Sequence, residues 1–159
     1  MRMRQGGPMS PRFGAGGPLT GTPGVIDEGL EVLTEDECRA LLAGGRLGRI
    51  AISQGAVPVV LPVNFVMVGT DVMFFTGPGL KLRAAVEKRL VSFQVDNIDV
   101  EHHMGWSVLV VGPMSTADPG DRPRAEALGL YPWVAGDRHN LVRIRPELIT
   151  GRRILTEMS

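Results

Sequence analysis

Apolar residues alternate along residues 57–68 and predict a strand at the centre of the fold. Every odd position from Val57 to Met67 is apolar, as expected of a strand face that packs on a core. The even positions are also apolar, apart from Asn64. A strand that is dry on both faces needs a second layer, such as another part of the chain, a second subunit or a flat apolar ligand. Pro62 has no backbone N–H to donate to a neighbouring strand, so it predicts a bulge or an interrupted edge of the sheet. There Asn64 can form a hydrogen bond to a partner outside the sheet.

The next stretch predicts a candidate phosphate site. A strand over residues 71–75 ends at Thr76 and leads through Gly77-Pro78-Gly79 into a helix with Lys81 in its first turn. The glycines allow backbone N–H groups to turn toward a ligand, and the first N–H groups of a helix have no partner within it. The Thr76 hydroxyl, these amides and the Lys81 ammonium group could together hold a phosphate. The alternative interpretation is a hairpin, a turn and a solvated lysine, and the absence of the G-x-x-x-x-G-K-[ST] spacing argues against a nucleoside triphosphatase.

The remaining patterns predict about six strands and two or three short helices. Thr34 and Glu37 form a capping-box sequence that begins a helix with Cys38 on its buried face, and Gly44-Gly45 ends it. Residues 105–112 are apolar on both faces, like the central strand, which suggests that both strands line one shared site or interface. Further strands are predicted at residues 47–53, 90–97, 141–145 and 146–154, and further helices at 81–89 and 122–130.

Composition indicates one domain without a strongly charged partner. Glycine and proline dominate residues 1–29, which we expect to form a disordered tail, whereas residues 30–159 form the domain. The chain has 17 basic and 17 acidic residues, so its charge does not indicate nucleic acid or an anionic membrane. No apolar run reaches the roughly 18 residues that span a bilayer, and no secretion signal is evident. With a single cysteine, this pattern favours the cytoplasm.

Three other groups of polar residues have ordinary structural interpretations. Cys38 is expected in the core, since no histidine or acid is spaced to make it a nucleophile. Arg49 could contact an anion or a flavin, but an ion-paired or solvated arginine is the more usual outcome. No metal site is expected in the acidic and histidine-rich segment, because neighbouring histidines point in opposite directions and no metal-binding motif supports them. That segment contains Asp96, Asp99, Glu101, His102 and His103.

Five motifs in a fixed order resemble the pyridoxamine 5'-phosphate oxidase superfamily of FMN-binding split barrels. The likeness covers residues 33–154 and is greatest to the branch that contains nitroimidazole-reductase-like flavoproteins. It implies a mainly β fold with short helices, namely a six-stranded antiparallel split β-barrel, and a homodimer with two FMN molecules at the interface. The motifs are G-R-I-A-I-S from Gly48, L-P-V-N-F-V from Leu61, F-F-T-G-P-G-L-K from Phe74, S-F-Q-V-D from Ser92 and G-W-S-V-L-V-V-G from Gly105.

The resemblance also implies a set of cofactor-binding residues. One segment would flank the isoalloxazine ring, a second would hold the phosphate, and the start of the strand at 105–112 would contact the flavin, including that of the partner chain. In that order, these residues are Pro62, Val63, Asn64 and Phe65, then Thr76, Gly77 and Lys81, then Trp106 and Ser107.

The function implied by this resemblance is an FMN-dependent oxidoreductase that uses NADH or NADPH to reduce a small organic acceptor. No side chain stands out as a catalytic acid or base. The basic signature and the C-terminal pattern of true pyridoxamine phosphate oxidases are not evident, which argues against vitamin B6 chemistry. Three alternatives stay open: a flavin- or haem-binding protein without turnover, a protein that binds a deazaflavin cofactor, and a protein-interaction module.

Overall fold

The structure, a computed structural model, describes residues 21–27, 29–136 and 139–155. These residues form ten strand segments and three short helices, which confirms the mainly β class that the sequence predicted. The helices are α1 (Glu35–Gly44), α2 (Leu80–Val86) and α3 (Asp121–Ala127). The strands are β1 (Ile26–Asp27), β2 (Leu30–Val32), β3 (Leu47–Gln54), β4 (Val57–Asn64), β5 (Val66–Val68), β6 (Asp71–Thr76), β7 (Leu90–Asp99), β8 (Met104–Thr116), β9 (Asn140–Ile144) and β10 (Leu148–Ile154).

The long strand β8 joins two arms of one curled antiparallel sheet. One arm runs β8–β7–β3–β4, with β10, β2 and β1 on the other side of β8, and the second arm runs β8–β9–β6–β5. In β8, the residues up to Pro113 pair with β7, whereas Met114 to Thr116 pair with β9. Because β4 and β5 are consecutive in the chain, the far ends of the two arms are connected, and the sheet closes into the predicted split barrel.

The strand predicted over residues 57–68 is two strands, which partly explains why the number of segments exceeds six. The chain leaves β4 at Phe65 and enters β5, which pairs with β6 in the other arm. Phe65 and Val66 are adjacent in sequence and both buried, so the alternation of inward and outward side chains changes phase here. The backbone N–H of Phe65 donates to the carbonyl of Arg46 at 2.9 Å, which fixes the turn between the two arms.

Two buried phenylalanine rings fill the corner where this break occurs. The rings of Phe65 and Phe93 meet edge to face, with centroids 4.9 Å apart and planes at 73°. Gly48 lies against Phe93, and a Cβ atom at Gly48 would lie 2.6 Å from Cε2 of that ring. Gly45 similarly makes room for Phe65, since its Cβ would lie 2.8 Å from Cζ of Phe65. The strand break therefore depends on a glycine beside each ring.

The helices begin and end close to the predicted positions. Thr34 caps α1 as expected: its hydroxyl accepts from the Glu37 N–H at 3.2 Å, and the Glu37 carboxylate accepts from the Thr34 N–H at 2.8 Å. Cys38 is fully buried on the inner face of α1, as predicted. Helix α2 ends at Val86 rather than at residue 89, because Lys88 adopts a positive φ of 53° that a helix cannot contain.

The described part of the N-terminal segment pairs with the sheet. In β1, Ile26 lies opposite Glu31 of β2, and in β2, Val32 lies opposite Arg152 of β10. Residues 1–20 and 28 of the predicted tail lie outside the described residues, so the division at residue 29 stays a prediction. Among the helices that the structure describes, none is both long and apolar enough to cross a membrane.

We expect the substitution Gly48→Ala to destabilise the fold by about 1–3 kcal/mol, because the added methyl group overpacks the corner beside the buried Phe93 ring. The free energy of unfolding from urea titrations measures this effect. Gly44→Ala is the matched control, since nothing lies within 4 Å of its would-be Cβ and alanine is the better helix former. Equal stability of the two variants would show that the corner tolerates a side chain at residue 48.

Candidate functional site

A crevice of about 430 Å³ runs along the end of β4. Leu61 and Val63 line it from one face of that strand, and Pro62 and Asn64 line it from the other. Both faces can contribute because β4 is an edge strand that pairs, among the described residues, with β3 alone. An edge strand offers backbone carbonyl and N–H groups to a ligand, although Pro62 has no N–H to donate. The proline thus lies on an edge, which is one of the two situations that the sequence predicted for it.

The far side of the crevice is formed by the end of β6 and the first turn of α2. Phe75 contributes from β6 and Lys81 from α2. Lys81 is the sole charged residue among the described residues that line the crevice, and the other lining side chains are apolar apart from Asn64. The arrangement suits a ligand with a flat apolar body and one anionic group.

The crevice therefore brings together four of the nine residues predicted to bind a cofactor, namely Pro62, Val63, Asn64 and Lys81. Thr76 and Gly77 follow directly after Phe75 in the chain, but Thr76 is 2% exposed. Its hydroxyl donates to the Gly77 carbonyl at 3.1 Å, within the turn itself. The Thr76 carbonyl accepts from the side-chain amide of Asn140 at 3.3 Å. The geometry thus shows Thr76 holding the turn that precedes Lys81.

Asn64 has a partner inside the protein that the sequence analysis did not predict. Its side-chain amide donates to the backbone carbonyl of Tyr131 at 2.9 Å. This bond ties the end of β4 to the segment after α3, from which Pro132, Trp133 and Val134 also line the crevice. Sequence reasoning omitted these three residues from the site. The available signal was an aromatic pair, Tyr131 and Trp133, in a segment between predicted elements.

The other predicted site residues lie elsewhere in the single chain. Phe65 is 1% exposed and belongs to the core. Trp106 lines a neighbouring depression of about 350 Å³, which shares Leu47 with the crevice. Ser107, next in β8, lies opposite Asp96 and Arg152 in the sheet and lines neither space. Leu47, which is 50% exposed, is thus a residue that the two spaces have in common.

Arg49 and Cys38 have the structural roles that the sequence favoured. The Arg49 guanidinium lies 3.4 Å from the carboxylate of Asp96 and the side-chain carbonyl of Gln94 on the neighbouring strand β7. Burial raises the pKa of the Cys38 thiol, and the nearby carboxylates of Glu37 and Glu35 add to this effect. A thiol with a raised pKa is a poor nucleophile at neutral pH, so Cys38 is unsuited to nucleophilic chemistry. Arg49 is not among the described residues that line the crevice.

The histidine-rich turn between β7 and β8 forms a local hydrogen-bonded pair. His102 Nδ1 lies 2.8 Å from the Asp99 carboxylate, and both side chains are exposed. Hydrogen bonds from His102 lower the pKa of Asp99. The bond from its backbone N–H has the largest effect, and the bond to its side chain has the next largest. Within the described ranges, no three His, Cys, Asp or Glu side chains are grouped to hold a metal ion. The expectation that the protein has no metal site stays a prediction.

Comparison with known proteins assigns this chain to a family. The model of the pyridoxamine 5'-phosphate oxidase family matches residues 34–153, which is most of the chain. The chain belongs to this family. The resemblance inferred from the five motifs is therefore confirmed at the level of the family and its split-barrel fold.

The chain is similar to two mycobacterial proteins, one named as uncharacterized and one named for FAD binding. An uncharacterized protein of Mycobacterium tuberculosis, Rv0080, is 34% identical over 131 residues, covering 79% of this chain and 86% of its own. A solved structure named as an FAD binding protein from Mycobacterium smegmatis is 38% identical, with a TM-score of 0.65, over 78% of this chain and 99% of the other.

A more distant structure shares the fold alone. Its name proposes a role in 5-nitroimidazole antibiotic resistance in Bacteroides thetaiotaomicron. It is 14% identical to this chain, with a TM-score of 0.60, over 79% of this chain and 89% of its own.

We expect Asn64→Asp to loosen the segment after α3, because a carboxylate cannot donate to the Tyr131 carbonyl. Loss of one hydrogen bond, about 1 kcal/mol, should speed amide hydrogen exchange in residues 131–136 by several-fold. Mass spectrometry of the exchanged peptides measures this rate. Asn97→Asp introduces the same charge at an exposed position on β7 and should leave the segment unchanged. Identical exchange in both variants would show that the Asn64 bond does not hold the segment.

Proposed function

We propose that the protein is a flavin-dependent oxidoreductase that uses reduced nicotinamide to reduce a small organic acceptor. The observation that carries this proposal is the crevice itself, which combines an edge strand, apolar walls and a single lysine in a chain 38% identical to a named FAD binding protein. A bound flavin supplies redox chemistry that none of the crevice side chains offers.

The crevice residues fit the FMN unit in size and polarity. The crevice has a volume of about 430 Å³, which lies within the usual range for cofactor sites. Lys81 would hold the phosphate through a charge-assisted hydrogen bond. Pro62, Val63 and the backbone of the β4 edge would flank the ring, and the apolar walls would keep water away from it. The Asn64 side chain would act indirectly, by holding the segment after α3 in place.

We infer FMN as the cofactor, while FAD is the ligand in the name of the Mycobacterium smegmatis relative. FAD contains the FMN unit, so the same residues would meet the same ring and the adjoining phosphate in either molecule. Mass spectrometry of the small molecule that co-purifies with the protein would identify the cofactor. Competition among FMN, FAD and a deazaflavin cofactor for the apo-protein would rank their affinities.

Steady-state consumption of NADH or NADPH with added acceptors tests turnover. A bound flavin that supports no turnover would contradict the proposed oxidoreductase activity.

We also infer a homodimer, because the outer face of the β3–β4 pair carries exposed apolar residues. Val60 is 58% exposed and Leu47 is 50% exposed, and the pairing of β3 with β4 puts both on the same face as Pro62. Val60 and Pro62 are both exposed in the single chain. An apolar face of this kind marks an interaction surface, and a second copy of the chain would cover it while bringing its own Trp106 and Ser107 to the interface.

We expect Lys81→Ala to weaken FMN binding by about 1–3 kcal/mol, because the phosphate loses a charged hydrogen bond. Riboflavin lacks the phosphate, so its affinity should not change. Titration of the apo-protein, followed by flavin fluorescence, measures both constants. Arg83→Ala removes an exposed cation from the same helix without touching the crevice, and it should bind FMN like the wild type. Unchanged FMN affinity in the Lys81 variant would show that the phosphate lies elsewhere.

We expect Val60→Glu to weaken the homodimer at least tenfold, because the interface would bury an unpaired carboxylate. Sedimentation velocity at a series of protein concentrations measures the dissociation constant. Val57→Glu places the same charge on the opposite face of β4, where the wild-type side chain is 63% exposed, and it should stay dimeric. A monomeric wild-type protein would contradict the proposed interface.

A further inference from the structure

A short apolar strip in the segment after α3 is not explained by the core of the protein. Pro132, Trp133 and Val134 are consecutive, and all three line the crevice. The Trp133 side chain is nevertheless 71% exposed, and Val134 is 56% exposed. Leaving an indole in water beside other apolar groups is unfavourable, and such contiguous exposure marks a binding surface. The crevice is the space that these side chains share with β4.

The strip is held at the crevice by contacts on both sides of it in the sequence. Before the strip, the Tyr131 carbonyl accepts from the Asn64 side chain at 2.9 Å. After it, the His139 carbonyl accepts from the Arg122 guanidinium, which also lies over the Phe75 ring at 4.9 Å from its centroid. Asn64 and Phe75 are themselves crevice residues. The two contacts therefore fasten the segment to the crevice, which reduces the entropic cost of ordering Trp133 around a ligand.

We propose that Trp133 is a specificity-determining residue of the crevice, and that it packs on the ring system of the bound flavin while Lys81 binds the phosphate. This inference rests on the proposed flavin binding. A planar aromatic ligand gains stacking energy on an indole face, whatever group it carries at its far end. Recognition is thus divided between two residues: Trp133 selects for the aromatic ring, and Lys81 selects for the phosphate.

The test compares the affinities of three flavins for the variant Trp133→Ala. Riboflavin, FMN and FAD share the isoalloxazine ring, so each should bind about tenfold more weakly than to the wild type. Trp133→Phe keeps an aromatic face and should recover most of the loss. Tyr131→Ala is the matched control: Tyr131 is 59% exposed in the same segment, does not line the crevice and keeps its backbone carbonyl for Asn64. It should bind all three flavins like the wild type.

A second measurement uses tryptophan fluorescence. The chain has two tryptophans, so Trp106→Phe leaves Trp133 as the single indole emitter. Addition of riboflavin should quench its emission in proportion to flavin binding. Thermal unfolding checks that each variant is folded, and because the Trp133 side chain is largely exposed, its removal should leave the transition temperature close to that of the wild type.

Two results would overturn the assignment of Trp133. Unchanged affinity of Trp133→Ala for all three flavins would show that the indole does not contact the cofactor. A loss confined to FAD would show that Trp133 contacts the adenosine part instead of the ring. Both results require a wild-type protein that binds flavin, so they leave the proposed function intact. A wild-type protein that binds none of the three would instead remove both proposals together.

Discussion

The edge-to-face contact between Phe65 and Phe93 is the constraint on which the rest of the structure depends. It anchors Phe65 in the core at the point where β4 would otherwise continue, so that the chain passes from one arm of the sheet to the other. The end of β4 consequently lies beside β6 and α2, and the crevice forms between them. Because Gly48 and Gly45 pack directly on the two rings, the corner has no space for larger residues. The location of the crevice thus follows from packing rather than from the chemistry of its lining.

Features that depend on neighbouring residues could be predicted from the sequence. The capping box of Thr34 and Glu37 needs only residues three apart, and the structure contains both of its hydrogen bonds. The division of β4 from β5 could not be predicted, because the apolar alternation continues through Phe65 without interruption. At this break Phe65 packs against Phe93, 28 positions later, and such a contact leaves no local periodic signal. The motifs nevertheless identified the family, since their order along the chain is itself long-range information.

In the candidate site, too, residues in local patterns could be predicted, whereas contacts between distant residues could not. Lys81 and the β4 segment were predicted from local patterns, namely a glycine-rich turn before a helix and a run of apolar residues, and they also fall within the family motifs. The fold brings them to one crevice. The role of Asn64 was not predictable, since its partner Tyr131 is 67 positions away and is bonded through a backbone carbonyl that any residue carries. Trp133 lies outside the motifs, so only the structure connects it with the crevice. A polar residue within a family motif can therefore serve the framework of a site rather than its ligand.

The proposed flavin site and the proposed dimer surface adjoin one another, and Leu47 and Pro62 belong to both. The side chains of Lys81 and Trp133 line a single crevice of a single chain, so the two side chains proposed to meet the phosphate and the ring come from one monomer. The exposed face that carries Leu47 and Val60 adjoins this crevice, because Leu47 lines both the crevice and the depression of Trp106. A second chain on that face would cover the boundary at Leu47 and narrow the access of solvent to the crevice. Dimerisation would therefore reduce the exposure of the proposed site to water.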